Sequence, residues 1–405
     1  MEDQYTYVNQ KKLRKGFTTG SCGAAAALAA AVLLFEGEEL NQVNLITPKG
    51  TELRIQIAEA ESGAGFAQCG VIKDSGDDPD ITNGAMVTVR ISRQAEEEIR
   101  TDGKWYLDEQ KDFSLFLRGG AGIGMVTRAG LSCPPGMWAI NPVPRKMIFQ
   151  QVAAVCRRCK VTGPVYITIE IPEGTRLAEK TFNPQLGILG GLSVLGTSGI
   201  VEPMSEGALI ETIRLEIRQK AAEGVGNLLV VPGNYGERFV SEQMGLSLKD
   251  AVKCSNFIGN TLDIAVESGI EKLLLVGHAG KLLKIAAGVM NTHSSMADGR
   301  MECLAAYGAA CGASQEMAQR ILNCITVDEA LGILEERDGL REAVMKMAMS
   351  RIDAHLKRRA GAGLQIGAVL FTNDRGILGA TLQAEEMIRL LRSAGDAAVH
   401  SPAKK

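Results

Sequence analysis

The chain has 405 residues, 45% hydrophobic and 22% charged, which disfavours disorder, a collagen-like fibre or a coiled coil and leaves room for two domains. Lysine and arginine total 44 against 47 acidic residues, a net charge of -3, so no overall basic field exists to hold a nucleic acid. An anionic ligand therefore has to be met by local cations.

The location of the protein is indicated by its N-terminus and its apolar runs. The longest apolar run, residues 24–35, is alanine-rich and only about half as long as a bilayer-spanning helix requires. The N-terminus is acidic, unlike a secretory signal. Nine cysteines without regular spacing are typical of reduced thiols. We expect a cytoplasmic protein with no membrane span.

The first half of the chain predicts an α+β domain. Hydroxyl residues followed by an alanine run predict a helix that begins near Ser21. Short β-rich runs separated by turn sequences then predict a meander-like antiparallel sheet over residues 43–47, 53–57, 67–72 and 86–91. The pattern continues with a helix, a strand and a helix over residues 145–159, 165–171 and 205–222.

The second half predicts a parallel α/β layer. Apolar runs at residues 227–231 and 272–276 each end in a glycine-rich turn and lead into helical sequence. A long helical stretch over residues 296–360 precedes a third strand at 366–371. We therefore predict an α+β domain over residues 1–224 and a Rossmann-like α/β domain over 225–405. The low-complexity tail after Gly395 is expected to fray.

Glycines mark the ends of two predicted strands, at Gly233, Gly236, Gly277 and Gly280. Ligands bind beyond the carboxyl ends of strands in open α/β sheets. Neither turn carries the three-glycine dinucleotide fingerprint, so NAD or FAD is not indicated. The alternative is that these glycines only turn the chain.

A glycine-rich loop over residues 187–203 ends near Glu202 and precedes a helix. Glycine allows close approach of backbone to a ligand, and Glu202 could accept a hydrogen bond. A flexible connector is the alternative.

Four aspartates, Asp74, Asp77, Asp78 and Asp80, lie close together in sequence. Their composition suits a divalent metal, but the spacing is not that of an EF-hand, and turn chemistry explains them equally well.

Two histidines, His278 and His293, lie in polar turns and could act as a base near neutral pH. A capping or hydrogen-bonding role is the more common alternative.

Cysteines at two places in the sequence could have a chemical role, but we do not assign one to either. Cys156 and Cys159 have the spacing of a redox or zinc pair without a second pair, so we predict that Cys156 faces the core. Cys22 stands at a helix N-terminus, which favours a thiolate, but without an evident base it is not assigned as a nucleophile.

Six segments in order resemble the cobalt-precorrin-5B C1-methyltransferase family, the CbiD family of anaerobic cobalamin biosynthesis. The resemblance runs from about residue 12 to residue 380, and the segments are residues 15–22 (Lys-Gly-Phe-Thr-Thr-Gly-Ser-Cys), 74–82, 119–145, 196–203, 232–234 and 277–281. Ser21 and Gly23 stand where we associate the family with Thr and Ala, which are small changes beside a helix cap.

The resemblance implies an N-terminal α+β domain and a C-terminal Rossmann-like domain. We expect the corrinoid to bind on the side of the first domain and S-adenosylmethionine on the side of the second. It implies transfer of a methyl group from S-adenosylmethionine to C1 of cobalt-precorrin-5B, giving cobalt-precorrin-6A. Cobalt would enter with the substrate, and no protein metal site is expected. The corrinoid is the expected partner, with no nucleic acid or membrane, and a homo-oligomer stays open. The alternatives are a nicotinamide-dependent corrinoid oxidoreductase and a non-catalytic corrinoid carrier.

We predict site residues from the strand-end positions and from the segments that resemble the family. The candidate bases are His293, His278 and Asp78, and the sequence does not choose among them. Candidate cofactor-binding residues lie in three loops: Thr197, Ser198, Gly199, Glu202, Pro232, Gly233, Asn234, Gly236, Gly277 and Gly280. Most candidate substrate-binding residues offer a cation or a hydrogen-bond donor to the carboxylates of the substrate. The candidates are Arg14, Lys15, Thr18, Thr19, Ser21, Asp77, Thr82, Arg128, Asn141, Arg145 and Lys281.

Overall fold

The computed structural model of this chain describes residues 5–8, 11–94 and 103–399. It is a mixed α/β structure in which contacts divide the chain into two units, Met1–Glu206 and Gly207–Lys405. The expected boundary was residue 225, after the helix over Glu206–Ala222. That helix falls in the second unit because its buried Ile213 and Ile217 belong to the hydrophobic core formed there.

The first unit contains fourteen described strands. They are β1 (Tyr5–Val8), β2 (Lys11–Arg14), β3 (Gly16–Phe17), β4 (Gln42–Ile46), β5 (Glu52–Gln56), β6 (Glu59–Gly63), β7 (Phe66–Ile72), β8 (Met86–Ser92), β9 (Tyr106–Glu109), β10 (Phe113–Gly119), β11 (Met125–Val126), β12 (Gly163–Glu170), β13 (Ile188–Leu189) and β14 (Ile200–Val201). The main sheet has six strands in the order β6-β7-β8-β12-β10-β9.

The pairing in this sheet differs from a simple meander. Strands β7 and β8 pair antiparallel, as expected, and β6, which was not predicted, pairs antiparallel with β7. Strands β4 and β5 form a separate hairpin. Strand β12 lies between β8 and β10 and runs parallel to β10. Non-local pairing decides this order, so local alternation of apolar residues could not predict it.

The helices of the first unit are α1 (Thr19–Glu36), α2 (Pro142–Arg158) and α3 (Gly174–Ala178). Helix α1 begins where the sequence predicted, capped by Thr18, and packs on α2 and on strands β7 and β8. Its 18 residues are apolar enough to cross a membrane by length and composition, which the run at 24–35 alone did not suggest. However, 72% of these 18 residues are buried inside the protein, so α1 is a core helix.

The second unit is built on a five-stranded sheet in the order β16-β15-β17-β18-β19. The strands are β15 (Asn227–Val231), β16 (Ala251–Lys253), β17 (Lys272–His278), β18 (Gln365–Thr372) and β19 (Gly376–Ala380). The first four are parallel and β19 is antiparallel to β18. The three predicted strands are confirmed, whereas the short edge strands β16 and β19 were not predicted.

Helices cover both faces of this sheet. They are α4 (Glu206–Ala222), α5 (Asn234–Glu242), α6 (Ile258–Glu267), α7 (Ala279–Leu282), α8 (Arg300–Ala310), α9 (Gln315–Leu322), α10 (Val327–Glu335), α11 (Leu340–Ala360) and α12 (Ala384–Val399). Alternate residues of β17 enter two separate cores: Leu273 and Leu275 pack on one face, and Leu274 and Val276 on the other. A strand buried on both faces reads as a continuous apolar run, which explains why it was recognisable in the sequence.

Two helical predictions need adjustment. The stretch over residues 296–360 is four helices, α8 to α11, because Ser314 and Thr326 cap new helices and Gly339 precedes a third. Helix α12 extends to Val399, through the first residues of the tail that was expected to fray. The rest of that tail, from residue 400, lies outside the described residues.

Candidate functional site

The strand order of the second unit reverses beside the carboxyl ends of β15 and β17. From β15 the chain crosses to β16 on one side, and β17 then lies on the other side of β15. A reversal of this kind opens a crevice between the loops that leave the two central strands. Residues 232–236 and 278–281 span these short connections and the first turns of α5 and α7, so the predicted strand-end residues of the second unit come together here.

Two aromatic side chains stand in this crevice beside each other. Tyr235, which is 64% exposed, has its ring centroid 5.9 Å from that of His278. The His278 ring meets the buried ring of Phe371 edge-on at 5.6 Å. Tyr235 therefore offers a solvent-facing aromatic surface, while His278 is fixed between protein groups.

The protonation state of His278 follows from its contacts. Its Nδ1 accepts a hydrogen bond from the backbone N–H of Gly280 at 3.1 Å, so the neutral ring carries its proton on Nε2. Burial lowers the pKa of His278, although the carboxylates of Asp328 and Asp374 act in the opposite direction. His278 is therefore a neutral hydrogen-bond donor near pH 7.

Lys281 ties the two loops of the crevice together. Its ammonium donates to the carbonyl oxygen of Pro232 at 3.1 Å, and burial lowers its pKa. A Cβ at Gly277 would lie 2.8 Å from Leu282, and one at Gly236 would lie 3.1 Å from the carbonyl of Val276. Close packing thus explains two of the four glycines.

Gly233 and Asn234 are the remaining loop residues. A Cβ at Gly233 would find only the Lys281 ammonium, at 4.0 Å. Asn234 is the first residue of α5. The Lys281 ammonium therefore lies beside Gly233, the N-cap residue of α5.

His293 lies in a separate braced loop of the second unit. Its Nδ1 lies 2.6 Å from the hydroxyl of Ser295 and also accepts the Ser295 N–H at 3.2 Å. The buried ammonium of Lys284 donates to the carbonyls of Thr292 and Ala297, and so holds the loop in place. The Nδ1 atom of His293 thus takes part in local hydrogen bonds, as expected from the alternative to a catalytic role.

Asp298 and Arg300 close the same loop. The guanidinium of Arg300 forms two hydrogen bonds to the Asp298 carboxylate, at 2.6 and 2.7 Å. These bonds lower the pKa of Asp298 to about 2. The pair is therefore ionised at every pH at which the protein is expected to work.

In the first unit, the N-terminus of α1 is closed by the glycine-rich loop. Thr18 Oγ1 accepts the N–H of Ser21 at 3.3 Å, and the Ser21 hydroxyl donates to the carbonyl of Gly199 at 2.7 Å. Gly196 has a positive φ, and a Cβ there would lie 2.2 Å from Thr18 Oγ1. Thr18, Ser21 and the neighbouring Thr19 are buried, so these predicted substrate residues pack inside the unit.

The rest of that loop also has protein partners. The Ser198 hydroxyl donates to the carbonyl of Ile200 at 2.8 Å, and Glu202 pairs with Lys49 at 3.0 Å. Thr197 is exposed. The candidate cofactor residues of this loop thus belong to the first unit, whereas those of the crevice belong to the second.

Each of the four clustered aspartates is held by the protein. Asp74 forms a two-pronged pair with Arg14 at 2.6 and 2.8 Å, and Asp77 accepts the backbone N–H of Arg14 at 2.6 Å. Asp78 accepts the backbone N–H of Met204 at 3.0 Å through one oxygen. Lys15, next to Arg14, bridges to Gly76 through the backbone. Across the described ranges no group of three acidic, histidine or cysteine side chains is arranged to hold a metal ion.

The fourth aspartate, Asp80, pairs with a buried lysine that the sequence analysis did not single out. The side chain of Lys73 is 2% exposed, and its ammonium contacts Asp80, Ser75 Oγ at 2.7 Å and Thr82 Oγ1 at 2.8 Å. Burial raises the pKa of Asp80, but Lys73 and the bonds from Thr82 outweigh it, and the pKa is lowered. The available signal was a lysine at an inward-facing position just past the end of β7.

The remaining candidate cations, Arg128 and Arg145, differ in their contacts with the rest of the protein. Arg128 donates to the carbonyl of Gln185 at 3.4 Å. The guanidinium of Arg145 lies 3.9 Å from the ring centroid of Tyr106, and its Nε is buried with no hydrogen-bond acceptor among the described residues. Asn141 precedes α2 as its N-cap residue without a side-chain capping bond.

Arg145 also lines a groove of about 490 Å³ between α2 and β9. Lys146, Arg157 and Gln110 line it as well. Arg157 and Gln110 were not predicted as site residues. The signal for Arg157 was helical spacing along α2, since it follows Lys146 by about three turns and so lies on the same helix face. Gln110 lies just past the end of β9.

Cys156 and Cys22 are both core residues. Cys156 is fully buried in the core of the first unit, as predicted. Burial raises the pKa of Cys22 to about 12 despite its place at a helix N-terminus and the nearby Lys73 charge. Cys22 is therefore a neutral core thiol.

Comparison with known proteins gives consistent matches along the chain. Two family models match, CbiD over residues 6–203 and the CbiD C-terminal domain over residues 291–382. A protein of Ruminiclostridium cellulolyticum named cobalt-precorrin-5B C(1)-methyltransferase is 44% identical over 92% of this chain and 92% of its own. A protein of the same name from Alkaliphilus metalliredigens is 40% identical over 97% of this chain and 99% of its own.

Among solved structures, a cobalamin biosynthesis protein (cbiD) from Archaeoglobus fulgidus is similar at 24% identity. The match covers 72% of this chain and 86% of that one, with a TM-score of 0.37.

Proposed function

The chain belongs to the CbiD family, and from that premise we propose that it transfers a methyl group from S-adenosylmethionine to C1 of cobalt-precorrin-5B, giving cobalt-precorrin-6A. The observation that carries the proposal is similarity over nearly the whole length to relatives with that activity in their names, at 44% and 40% identity. The resemblance carried by six sequence segments is confirmed by the two family models.

We assign the methyl donor to the second unit. Its sheet, parallel over four strands with helices on both faces, supports a Rossmann-like description, and the crevice beyond β15 and β17 is the usual ligand position in such sheets. The groups present fit the donor. The Tyr235 ring offers a stacking surface for a purine, and the Lys281 ammonium offers a charge for a carboxylate.

We assign the corrinoid to the first unit, which is the α+β part of the chain. The buried hydroxyls of Thr18 and Ser21 and the loop that contains Gly196 and Gly199 hold the N-terminus of α1 in place. We therefore reassign these residues from ligand contact to support of the surrounding loops.

The proposed reaction needs positioning more than covalent help. S-adenosylmethionine supplies, when bound, an electrophilic methyl group on a positively charged sulfur. An in-line displacement gains most of its rate from holding the reacting atoms at about 3 to 3.5 Å with correct alignment. In this scheme Lys281 and Tyr235 orient the donor, and His278 donates a hydrogen bond through Nε2.

Among the three candidate bases we favour Asp78 as the group that accepts a proton from the macrocycle. The Nδ1 atoms of His278 and His293 already accept backbone N–H groups, so their Nε2 atoms carry the proton. Asp78 uses one carboxylate oxygen for Met204 N–H, and its second oxygen has lone pairs to accept a proton. We expect Asp78→Asn to lower the rate of methyl transfer while leaving donor binding unchanged.

We propose the cytoplasm as the location, since the one helix of the described residues that is apolar enough for a membrane is buried in the core of the first unit.

The first test is calorimetric titration of the purified protein with S-adenosylhomocysteine, the stable product of the donor. We expect one-to-one binding in the micromolar range, and we expect Tyr235→Ala to weaken it about 5- to 50-fold, from the energy of stacking one base on an aromatic ring. Arg238→Gln is the matched control, since it removes only an exposed cation of α5 that pairs with Glu242.

The alternatives give different titrations. A corrinoid carrier would bind corrinoids and ignore S-adenosylhomocysteine, and an oxidoreductase would bind NADPH instead. Failure of S-adenosylhomocysteine to bind, both alone and with a corrinoid present, would contradict the proposed function.

A further inference from the structure

A basic groove runs along the outer edge of the main sheet of the first unit. One wall is a face of α2 and the other is β9, the last strand of the six-stranded sheet. Its volume of about 490 Å³ lies within the range of sites for small molecules, roughly 300 to 1,000 Å³. The groove could therefore accept part of a large ligand.

The charge of this groove is positive. Arg145, Lys146 and Arg157 line it, and Asp108 is the single acidic residue of the lining. Asp108 accepts a hydrogen bond from Gln110 at 2.9 Å, and Gln110 in turn accepts one from Arg157 at 3.1 Å. The three cations thus face one carboxylate that is already hydrogen-bonded to a neutral amide.

These cations are also not neutralised elsewhere. In the part of the chain that the structure describes, no carboxylate forms an ion pair with Arg145, Lys146 or Arg157. By contrast, Arg14 is paired with Asp74. Among the cations that the sequence nominated for substrate binding, Arg145 thus stands at a groove without an ion-pair partner.

Arg145 is also well placed to hold an anion. Its guanidinium lies on the face of Tyr106, whose hydroxyl donates to the carbonyl of Trp138 at 2.6 Å. A guanidinium fixed in this way loses little conformational freedom when it binds a carboxylate in a two-pronged arrangement. Phe149 in the lining adds an apolar surface beside it.

We propose that this groove binds carboxylate side chains of the corrinoid substrate, with Arg145 as the fixed anchor and Lys146 and Arg157 as additional contacts. The proposal rests on the proposed function for the identity of the ligand. It adds Arg157 and Gln110 to the residues that determine substrate affinity. Carboxylates are recognised, so a corrinoid whose side chains are amides lacks these interactions.

The experiment compares two corrinoids that differ in side-chain charge. Cobyrinic acid carries free carboxylates, and cobinamide carries amides in their place. Each is titrated into the full-length protein with absorbance detection, using Lys146→Gln, Arg157→Gln, Arg145→Gln and the triple variant. Arg176→Gln is the control, since it removes the same charge from an exposed pair with Glu173 in the same unit.

We expect each single substitution to weaken cobyrinic acid about 3- to 10-fold, and the triple variant at least about 50-fold. These values correspond to charge-assisted hydrogen bonds at a partly exposed site. Binding of cobinamide should change less than about twofold. Lys146 is exposed and makes no ion pair within the described ranges, so its variant tests binding without a risk to folding.

Equal affinity of the triple variant and the wild type for cobyrinic acid would overturn the proposal, as would an equal loss for both corrinoids. Titration with S-adenosylhomocysteine separates this outcome from failure of the proposed function. If only the groove proposal is wrong, the wild-type protein still binds S-adenosylhomocysteine and still transfers the methyl group. If the wild-type protein does neither, the methyltransferase assignment itself is refuted.

Discussion

Replacement of Asp80 by asparagine tests the buried ion pair that holds the aspartate-rich loop. The Lys73 side chain is 2% exposed and that of Asp80 is 26% exposed. The substitution removes the negative charge paired with the Lys73 ammonium, which then has only neutral oxygen acceptors, among them the hydroxyls of Ser75 and Thr82. Breaking a buried pair in this way costs about 3 to 5 kcal/mol. Because water reaches Asp80, we expect about 3 kcal/mol.

The effect should also depend on pH. The pKa of Asp80 is lowered in the folded protein because Lys73 outweighs the opposing effect of burial. A carboxylate with a lowered pKa stabilises the fold above its unfolded value of about 3.9, and the stabilisation is lost as the pH falls through the folded value. The difference between wild type and variant should therefore be full at pH 7 and shrink below about pH 4.

Urea denaturation followed by tryptophan fluorescence measures this loss in the first unit alone. The chain has 2 tryptophans, Trp105 and Trp138, and both lie there. Thermal unfolding should fall by about 6 to 12 °C for a unit of this size. The control Glu173→Gln breaks an exposed pair and should cost less than about 1 kcal/mol.

A loss below about 1 kcal/mol at pH 7 would show that Lys73 does not depend on its carboxylate partner. The double variant Lys73→Met with Asp80→Asn gives a second check, because removal of both charges should recover much of the loss.

Further expectations concern backbone, thiol and imidazole groups. Gly76→Ala should lower the free energy of unfolding by at least about 3 kcal/mol, because its φ is +65° and a Cβ would lie 2.2 Å from a carbonyl oxygen. The control Gly50→Ala, which also has a positive φ but meets open space, should lower it by about 1 kcal/mol. Similar losses for the two variants in urea denaturation would contradict this reasoning. Iodoacetamide at pH 8 should modify the partly exposed Cys311 well before Cys22, whose pKa is about 12, and early labelling of Cys22 by mass spectrometry would refute its burial. An NMR titration should place the pKa of His278 below about 6.5. The unfolded chain then binds protons first, so His278 lowers the free energy of unfolding as the pH falls below about 6.5; a midpoint above that value would contradict its burial.

Local patterns were enough for several elements that define the fold. The alanine run behind Thr18 gave helix α1, and the continuous apolar runs gave β15, β17 and β18. These signals are strong because an N-cap and a doubly buried strand each depend on adjacent residues. The short strands β16 and β19 carry too few residues for a periodic signal.

The candidate site depended more on contacts between distant residues. The sequence located the strand-end loops at Pro232 and His278, because parallel strands bring their carboxyl ends to one edge. It could not show that His278 Nδ1 is occupied, or that Arg14 is already paired with Asp74, 60 residues away. Each of these contacts changes what a side chain can still bind.

The amino-acid sequence by itself determined the family, the order of the helices and main strands, and the loops in which polar residues gather. The tertiary structure decided the position of β12 in the sheet, the burial of Lys73 and the groove beside Arg145. The physical reason is that hydrophobic periodicity acts over a few neighbouring residues. Hydrogen bonding and burial instead depend on partners as far apart as Asp78 and Met204, which are separated by 126 positions.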